Sequence, residues 1–113
     1  MYLITDQGLA DFCDQLNSSS VLAIDTEFVR ERTYYHKLGL IQVSDGTHCA
    51  AIDPIHISNL EPFLNLVRNQ NTVKVFHAAR QDLEILHRLC DGLIQPVFDT
   101  QIAASVVGWG SQI

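Results

Sequence analysis

The stretch that most limits what this chain can become is Val21–Phe28, VLAIDTEF. It begins apolar and β-branched, as a buried strand does, and then carries two carboxylates, Asp25 and Glu27. Side chains alternate faces along a strand, so these two acids point the same way with Cα atoms about 7 Å apart. At that spacing both carboxylates can hold one divalent cation or a pair of them. Two parallel carboxylates on a central strand are costly unless something positive sits beside them. The alternative is that both acids lie past the strand end, in solvent.

The elements around this strand follow from pattern. Leu9, Phe12, Cys13 and Leu16 recur at helical spacing and predict a helix over 6–17, capped by Thr5 or Asp6. After Phe28 the run VRERTYYHK is polar and aromatic and reads as an exposed turn beside the acids. Its two arginines and two tyrosines suit contact with a nucleic-acid backbone or base, or simply a solvated hairpin tip. Leu38–Ser44 reads as a second strand, Asp45-Gly46 as a hairpin turn, and His48–Asp53 as a third strand antiparallel to the second. A helix is expected over 60–70, starting either from a Ser58–Glu61 capping box or from Glu61 ahead of Pro62. Residues 72–76 form a short parallel strand, and 80–91 a helix with Leu83, Leu86 and Cys90 inward and Gly92 as its stop. Ile94–Phe98 is a further strand. Asp99 then caps a last helix over 100–107, with Ile102, Ala103 and Val106 inward.

The sum is an α/β domain: a three-stranded antiparallel meander plus parallel strands in one mixed sheet, with helices on both faces. At 113 residues and 47% hydrophobic content there is material for one modest core. The start lacks the basic-then-apolar pattern of a signal peptide, and no apolar run is long enough to span a membrane. Cys13, Cys49 and Cys90 are odd in number, lack zinc-ligand spacing, and read as buried thiols in a reducing, cytoplasmic setting. A net charge of −6 argues against nucleic-acid binding through a broad basic surface. It leaves room for an enzyme that meets phosphates through bound metal ions.

Asp82 falls in the first turn of the 80–91 helix, where the helix dipole alone would favour a carboxylate. In a mixed sheet it can also converge with Asp25 and Glu27 at one edge. Three carboxylates without Cys or His in ligand spacing suit Mg²⁺ or Mn²⁺ better than zinc. Such clusters hold two cations about 4 Å apart in phosphodiester cleavage. A two-carboxylate glycosidase needs its acids on opposite sides of a sugar, which same-face acids on one strand serve poorly.

The segments IDTEFVRERTYYHKLGLIQVSDG, FHAARQDLEIL and FDTQIAA together resemble ribonuclease D, a 3′→5′ exoribonuclease of the DEDD superfamily on a ribonuclease H-like fold. The resemblance runs over nearly the whole chain. It implies that Asp25 and Glu27 ligate two divalent cations, Mg²⁺ or Mn²⁺, with Asp25 bridging them, and that Asp82 holds the second. It places Thr26 and Phe28 where the family lodges the 3′-terminal nucleotide. His77 and Gln42 also match family positions and are assigned structural roles. The implied substrates are RNA 3′ ends, single-stranded or tRNA-like, hydrolysed to nucleoside 5′-monophosphates.

One departure stands out. The family's third motif pairs a water-orienting Tyr with an Asp four positions on. Here the acids after Asp82 are Glu84, Asp91 and Asp99, and the last tyrosine is Tyr35. Residues 1–113 therefore read as a single incomplete exonuclease domain with the first two motifs, truncated at its C-terminus. Such a chain is expected to expose apolar surface and to self-associate or be marginally stable. Two further readings stay open: a catalytically silent fragment that binds nucleic acid or protein, and a DNA-directed, proofreading-type exonuclease.

Overall fold

A computed structural model of the protein describes residues 1–30, 36–77 and 79–106. The elements run β1 (Tyr2–Leu3), α1 (Asp6–Leu16), β2 (Val21–Arg30), β3 (His36–Ser44), β4 (Cys49–Ile52), α2 (Glu61–Arg68), β5 (Val73–Phe76), α3 (Arg80–Cys90), β6 (Val97–Asp99) and α4 (Thr100–Val106). The strands form one six-stranded sheet in the order β1-β4-β3-β2-β5-β6. The β2–β3–β4 meander is antiparallel; β1 joins β4, β5 joins β2, and β6 joins β5, all parallel. This is the mixed α/β sheet expected from the sequence, with one strand more.

The added strand is β1. Its two residues pair with Ala51 and Ile52 and are too short to carry any periodicity. Helix α1 is capped by Thr5, whose hydroxyl accepts from the Gly8 amide at 3.0 Å. The other candidate cap, Asp6, reaches instead across to the chain ahead of α2. It accepts from the Ser58 amide and hydroxyl and from the Asn59 amide at 2.8, 2.7 and 3.2 Å. Helix α2 therefore starts at neither expected position. Leu60 is its N-cap without a side-chain bond, and Asn59 Oδ1 accepts from the Glu61 amide. Helix α3 ends one residue before the expected glycine stop. Asp91 takes the left-handed conformation, φ 51°, which a short polar side chain tolerates better than most.

Each of the crossovers through α1, α2 and α3 joins parallel strands, and each moves the same way across the sheet. With the usual right-handed connection all three helices land on one face. Burial agrees. Leu22, Ile24 and Thr26 of β2, Ile41 and Val43 of β3, Ile52 of β4, and Lys74 and Phe76 of β5 are buried beneath the helices. The opposite parity, with Asp25, Glu27, Gln42 and His77, is exposed. So the expectation of helices on both faces is met by three on one side, and α4 leaves the sheet from the end of β6. Ile102 and Val106 of α4, expected inward, are 63% and 81% exposed, and Ala104 is its buried residue. Of the three cysteines, Cys13 and Cys90 are buried as expected. Cys49, first residue of β4, is exposed on the uncovered parity. Burial pushes the Cys13 thiol up to about 12, so it stays protonated and inert.

Below the sheet sits one charged residue that the core would not be expected to take. Lys74 is fully buried, and its Nζ donates to the carbonyls of Asn69 and Gln95 at 2.7 and 2.9 Å. Burial lowers its pKa. Its ammonium ties the β5 approach to the segment that carries the cis Gln95–Pro96 peptide.

The acid side of the pH profile has an identifiable source. His56 and the Ile55, Tyr2 and His56-amide donors hold the Asp53 carboxyl at about 2. Asp6, Asp45 and Glu61 are lowered as well, by Ser58, by the amide of His48 and by Arg68 first in each case. Folded pKa values below the unfolded ones give stability that is complete above about pH 4 and is lost as pH falls through the folded values. Urea titrations from pH 5 to pH 2 should therefore show falling stability. Asp53→Asn should be less stable than the parent at pH 5 and should converge with it towards pH 2.

Candidate active site

The acids are not past the strand end. β2 continues to Arg30, three residues beyond Glu27, and both Asp25 and Glu27 lie on its open face with neighbours paired on the β3 side. Their same-side placement is the strand alternation expected from the sequence. Asp25 stands opposite Gln42 of β3, and Glu27 opposite Leu40, just before a bulge between Glu27 and Phe28. Among the described residues neither carboxylate has a hydrogen-bond partner.

On the other side β2 has a gap. Its pairing with β5 stops at Ala23↔Val75, whereas its pairing with β3 continues to Arg30. Past Val75 the chain turns through His77 into α3, and the first turn of α3 fills the space beside Thr26. Asp82 reaches β2 there. It is 6% exposed, and the Thr26 hydroxyl donates to its Oδ1. Burial is the main cause that raises the Asp82 pKa, and the charges of Asp25 and Asp99 add to it; the hydroxyl and main chain of Thr26 oppose it.

Thr26 and Phe28 differ from their neighbours in direction. The Thr26 side chain is buried on the helix-covered side, and Phe28 is half-buried against the core. What the described residues leave open at these two positions is main chain, which β5 does not pair beyond Ala23. Asp99 caps α4 as expected, accepting from the Gln101 amide at 2.9 Å, and its other oxygen accepts from the Ala79 amide at 2.7 Å at the start of α3. His77 is held by Thr100. The one Thr100 hydroxyl proton goes to the Phe76 carbonyl at 3.2 Å, so His77 Nδ1 must be the donor in the 2.8 Å contact with Thr100 Oγ1. Asp25, Gln42, Ser44, His77 and Thr100 line an open depression on the uncovered face. The turn with Arg32, Tyr34 and Tyr35 lies outside the described residues.

These donors can be weighed against a divalent cation. Asp25 and Glu27 offer hard oxygens on one face, with no hydrogen-bond partner among the described residues. The set fits Mg²⁺ or Mn²⁺ in kind. It is not gathered as a cluster, however: among the described residues no three His, Cys, Asp or Glu side chains stand close enough to hold a metal ion. Asp82 stands apart from the strand acids, its carboxylate bonded to Thr26 beside the edge of β2 that β5 leaves unpaired.

The decisive comparison covers the chain end to end: residues 2–113 match the model of a 3′-5′ exonuclease family. The chain belongs to that 3′-5′ exonuclease family. It is 45% identical to ribonuclease D of Serratia proteamaculans over 106 residues, which covers 94% of this chain and 28% of that protein. The structure of Escherichia coli RNase D, described as an exoribonuclease involved in structured RNA processing, superposes with a TM-score of 0.91 at 41% identity. That match spans 100% of this chain and 30% of the E. coli chain. Brucella melitensis NrnC with bound Mg²⁺ superposes with a TM-score of 0.68 at 27% identity, over 80% of this chain and 47% of that one. The chain thus spans under a third of the length of the Serratia and E. coli ribonuclease D proteins. The ribonuclease H-like exonuclease fold expected from the resemblance is the fold observed. Among the described residues no helix is long and apolar enough to cross a membrane.

Proposed function

We propose that this chain is part of a two-metal-dependent 3′→5′ exoribonuclease of the ribonuclease D type, acting on single-stranded or tRNA-like RNA 3′ ends and releasing nucleoside 5′-monophosphates. The observation that carries it is the pair Asp25 and Glu27, on the open face of a central strand and without a hydrogen-bond partner among the described residues, in a chain of this family. In this reading Asp25, Glu27 and Asp82 would hold the cations, with Asp25 serving both and Asp82 acting directly or through water from its place beside Thr26. Bound there, two divalent cations would activate the attacking water and stabilise the leaving oxygen. Gln42 stands opposite Asp25 on β3, and His77 lines the same depression. Main chain at Thr26 and Phe28 would contact a 3′-terminal nucleotide.

In the same proposal residues 1–113 carry two of three exonuclease motifs. The protein works in a reducing compartment, the cytoplasm, in keeping with three free cysteines. The uncovered sheet face supports self-association. Light scattering should detect dimers or larger species, and a monodisperse, cooperatively stable monomer would count against this.

The test is a time course on 5′-labelled single-stranded RNA with Mn²⁺ and then Mg²⁺, beside Asp25→Ala and beside a DNA strand of the same sequence. A descending ladder that disappears in the variant supports the proposal, and stronger cleavage of RNA than DNA supports the substrate class. A ladder of equal strength in Asp25→Ala would refute it. No cleavage by either protein would favour the silent-fragment reading for the 113-residue chain.

A further inference from the structure

We propose that Thr26 is a positioning residue: its buried hydroxyl holds the Asp82 carboxylate beside the unpaired edge of β2 and thereby sets the affinity of Asp25, Glu27 and Asp82 for a divalent cation. This rests on the metal-binding reading above and extends it to a side chain on the opposite face of the sheet. The argument is geometric. Strand alternation turns the Thr26 side chain away from Asp25 and Glu27, and it is 7% exposed, so its hydroxyl is out of reach of any ligand on the open face. Its partner is Asp82 Oδ1, across 56 residues of sequence. No other side-chain hydrogen bond to Asp82 joins it among the described residues.

The position of that bond matters. β5 has ended, β2 is unpaired on this side, and α3 enters with Asp82 in its first turn. Among the described residues the hydroxyl is the one side chain bonded to this carboxylate, beside the main chain of Thr26 itself. A threonine is well suited because it has a single hydroxyl and a stiff β-branched stem, so few rotamers compete with the bonded one. Groups that only orient a metal ligand typically change affinity by roughly 10- to 100-fold when removed.

The test measures free Mn²⁺ by its spin resonance signal as the 113-residue chain is titrated, alongside thermal melting. Thr26→Val, which keeps the shape and removes the donor, should weaken Mn²⁺ binding by roughly tenfold or more, and Thr26→Ser should restore it to within about threefold. In an Asp82→Asn background Thr26→Val should have no further effect, because the two changes remove one interaction. Should Thr26→Val fail to fold, Thr26→Cys, similar in size with a weak donor, serves the same comparison. Unchanged binding in Thr26→Val, or an equal loss when Asp82 is already replaced, overturns the proposal. If Asp25→Asn and Asp82→Asn both leave Mn²⁺ binding unchanged, the metal-site reading itself fails and the proposal goes with it. Loss in those two with none in Thr26→Val sinks the positioning role alone.

Discussion

Lys74→Ala should be the most destabilising single change in the sheet, costing roughly 3 to 5 kcal/mol. The ammonium donates to the Asn69 and Gln95 carbonyls at 2.7 and 2.9 Å; the Asn69 carbonyl also accepts from the Thr72 amide at 3.2 Å. A carbonyl left dry, as Gln95 would be, costs about 1–3 kcal/mol. Losing the four-carbon stem adds a cavity term of the kind seen when large core side chains become alanine. Relief of the buried charge offsets part of this, in line with the lowered Lys74 pKa. Lys74→Met keeps the stem and loses only the donors, so it should fall between parent and alanine. Urea denaturation at pH 7 checks both variants. A lower midpoint at unchanged slope is expected, and a Lys74→Met variant as stable as the parent would show that the two carbonyls find water instead.

The second large effect is on catalysis. Asp25→Ala should lower 3′→5′ cleavage by more than the roughly 100-fold that follows when a group merely orienting a ligand is lost. In the proposed function Asp25 is the acid that would serve both cations. It stands on the central strand, flanked by Gln42 on β3, and its charge already acts on Asp82. Removing it also removes negative charge from the site, so raising Mn²⁺ should recover little. Asp11→Ala is the control, since Asp11 is an exposed α1 carboxylate bonded to Gln7 and remote from β2. Initial rates on 5′-labelled RNA across Mn²⁺ concentration decide the matter. Loss below tenfold, or full recovery at high Mn²⁺, would remove Asp25 from the catalytic role.

Much of this arrangement was legible in the residues because it depends on local rules. Alternation along VLAIDTEF placed Asp25 and Glu27 on one face, Asp45-Gly46 marked the hairpin, and Thr5 and Asp99 read as caps. What escaped depends on partners distant in sequence. The two residues of β1 make a strand only because Ala51 and Ile52 accept them. The apolar stripe of α4 was legible, but which side would be covered was not, and Ile102 and Val106 stay exposed. In TVKVF the apolar residues outnumber the lysine, yet the sheet buries Lys74 with Phe76 and leaves Val73 and Val75 half-covered. Two loop carbonyls, Asn69 five residues before it and Gln95 twenty-one after, make that tolerable. The Thr26–Asp82 bond is of the same kind: a threonine between two acids offers no sign of which helix it will meet.

The alternation of β2 also acts as a check on assembly. Shift this strand by one residue against β3 and its two sets of side chains exchange faces. Leu22, Ile24 and Thr26 would then meet water, while Asp25 and Glu27 would be driven under α1, α2 and α3. Burying an ionised carboxylate costs several kcal/mol even after relaxation, and here there would be two. The slipped hairpin is therefore rejected by the same pair of side chains on which the proposed chemistry depends. Carboxylates that repel each other in the finished protein discriminate against misaligned strands while it forms, so neutralising both for other purposes would also loosen the register of the central strand.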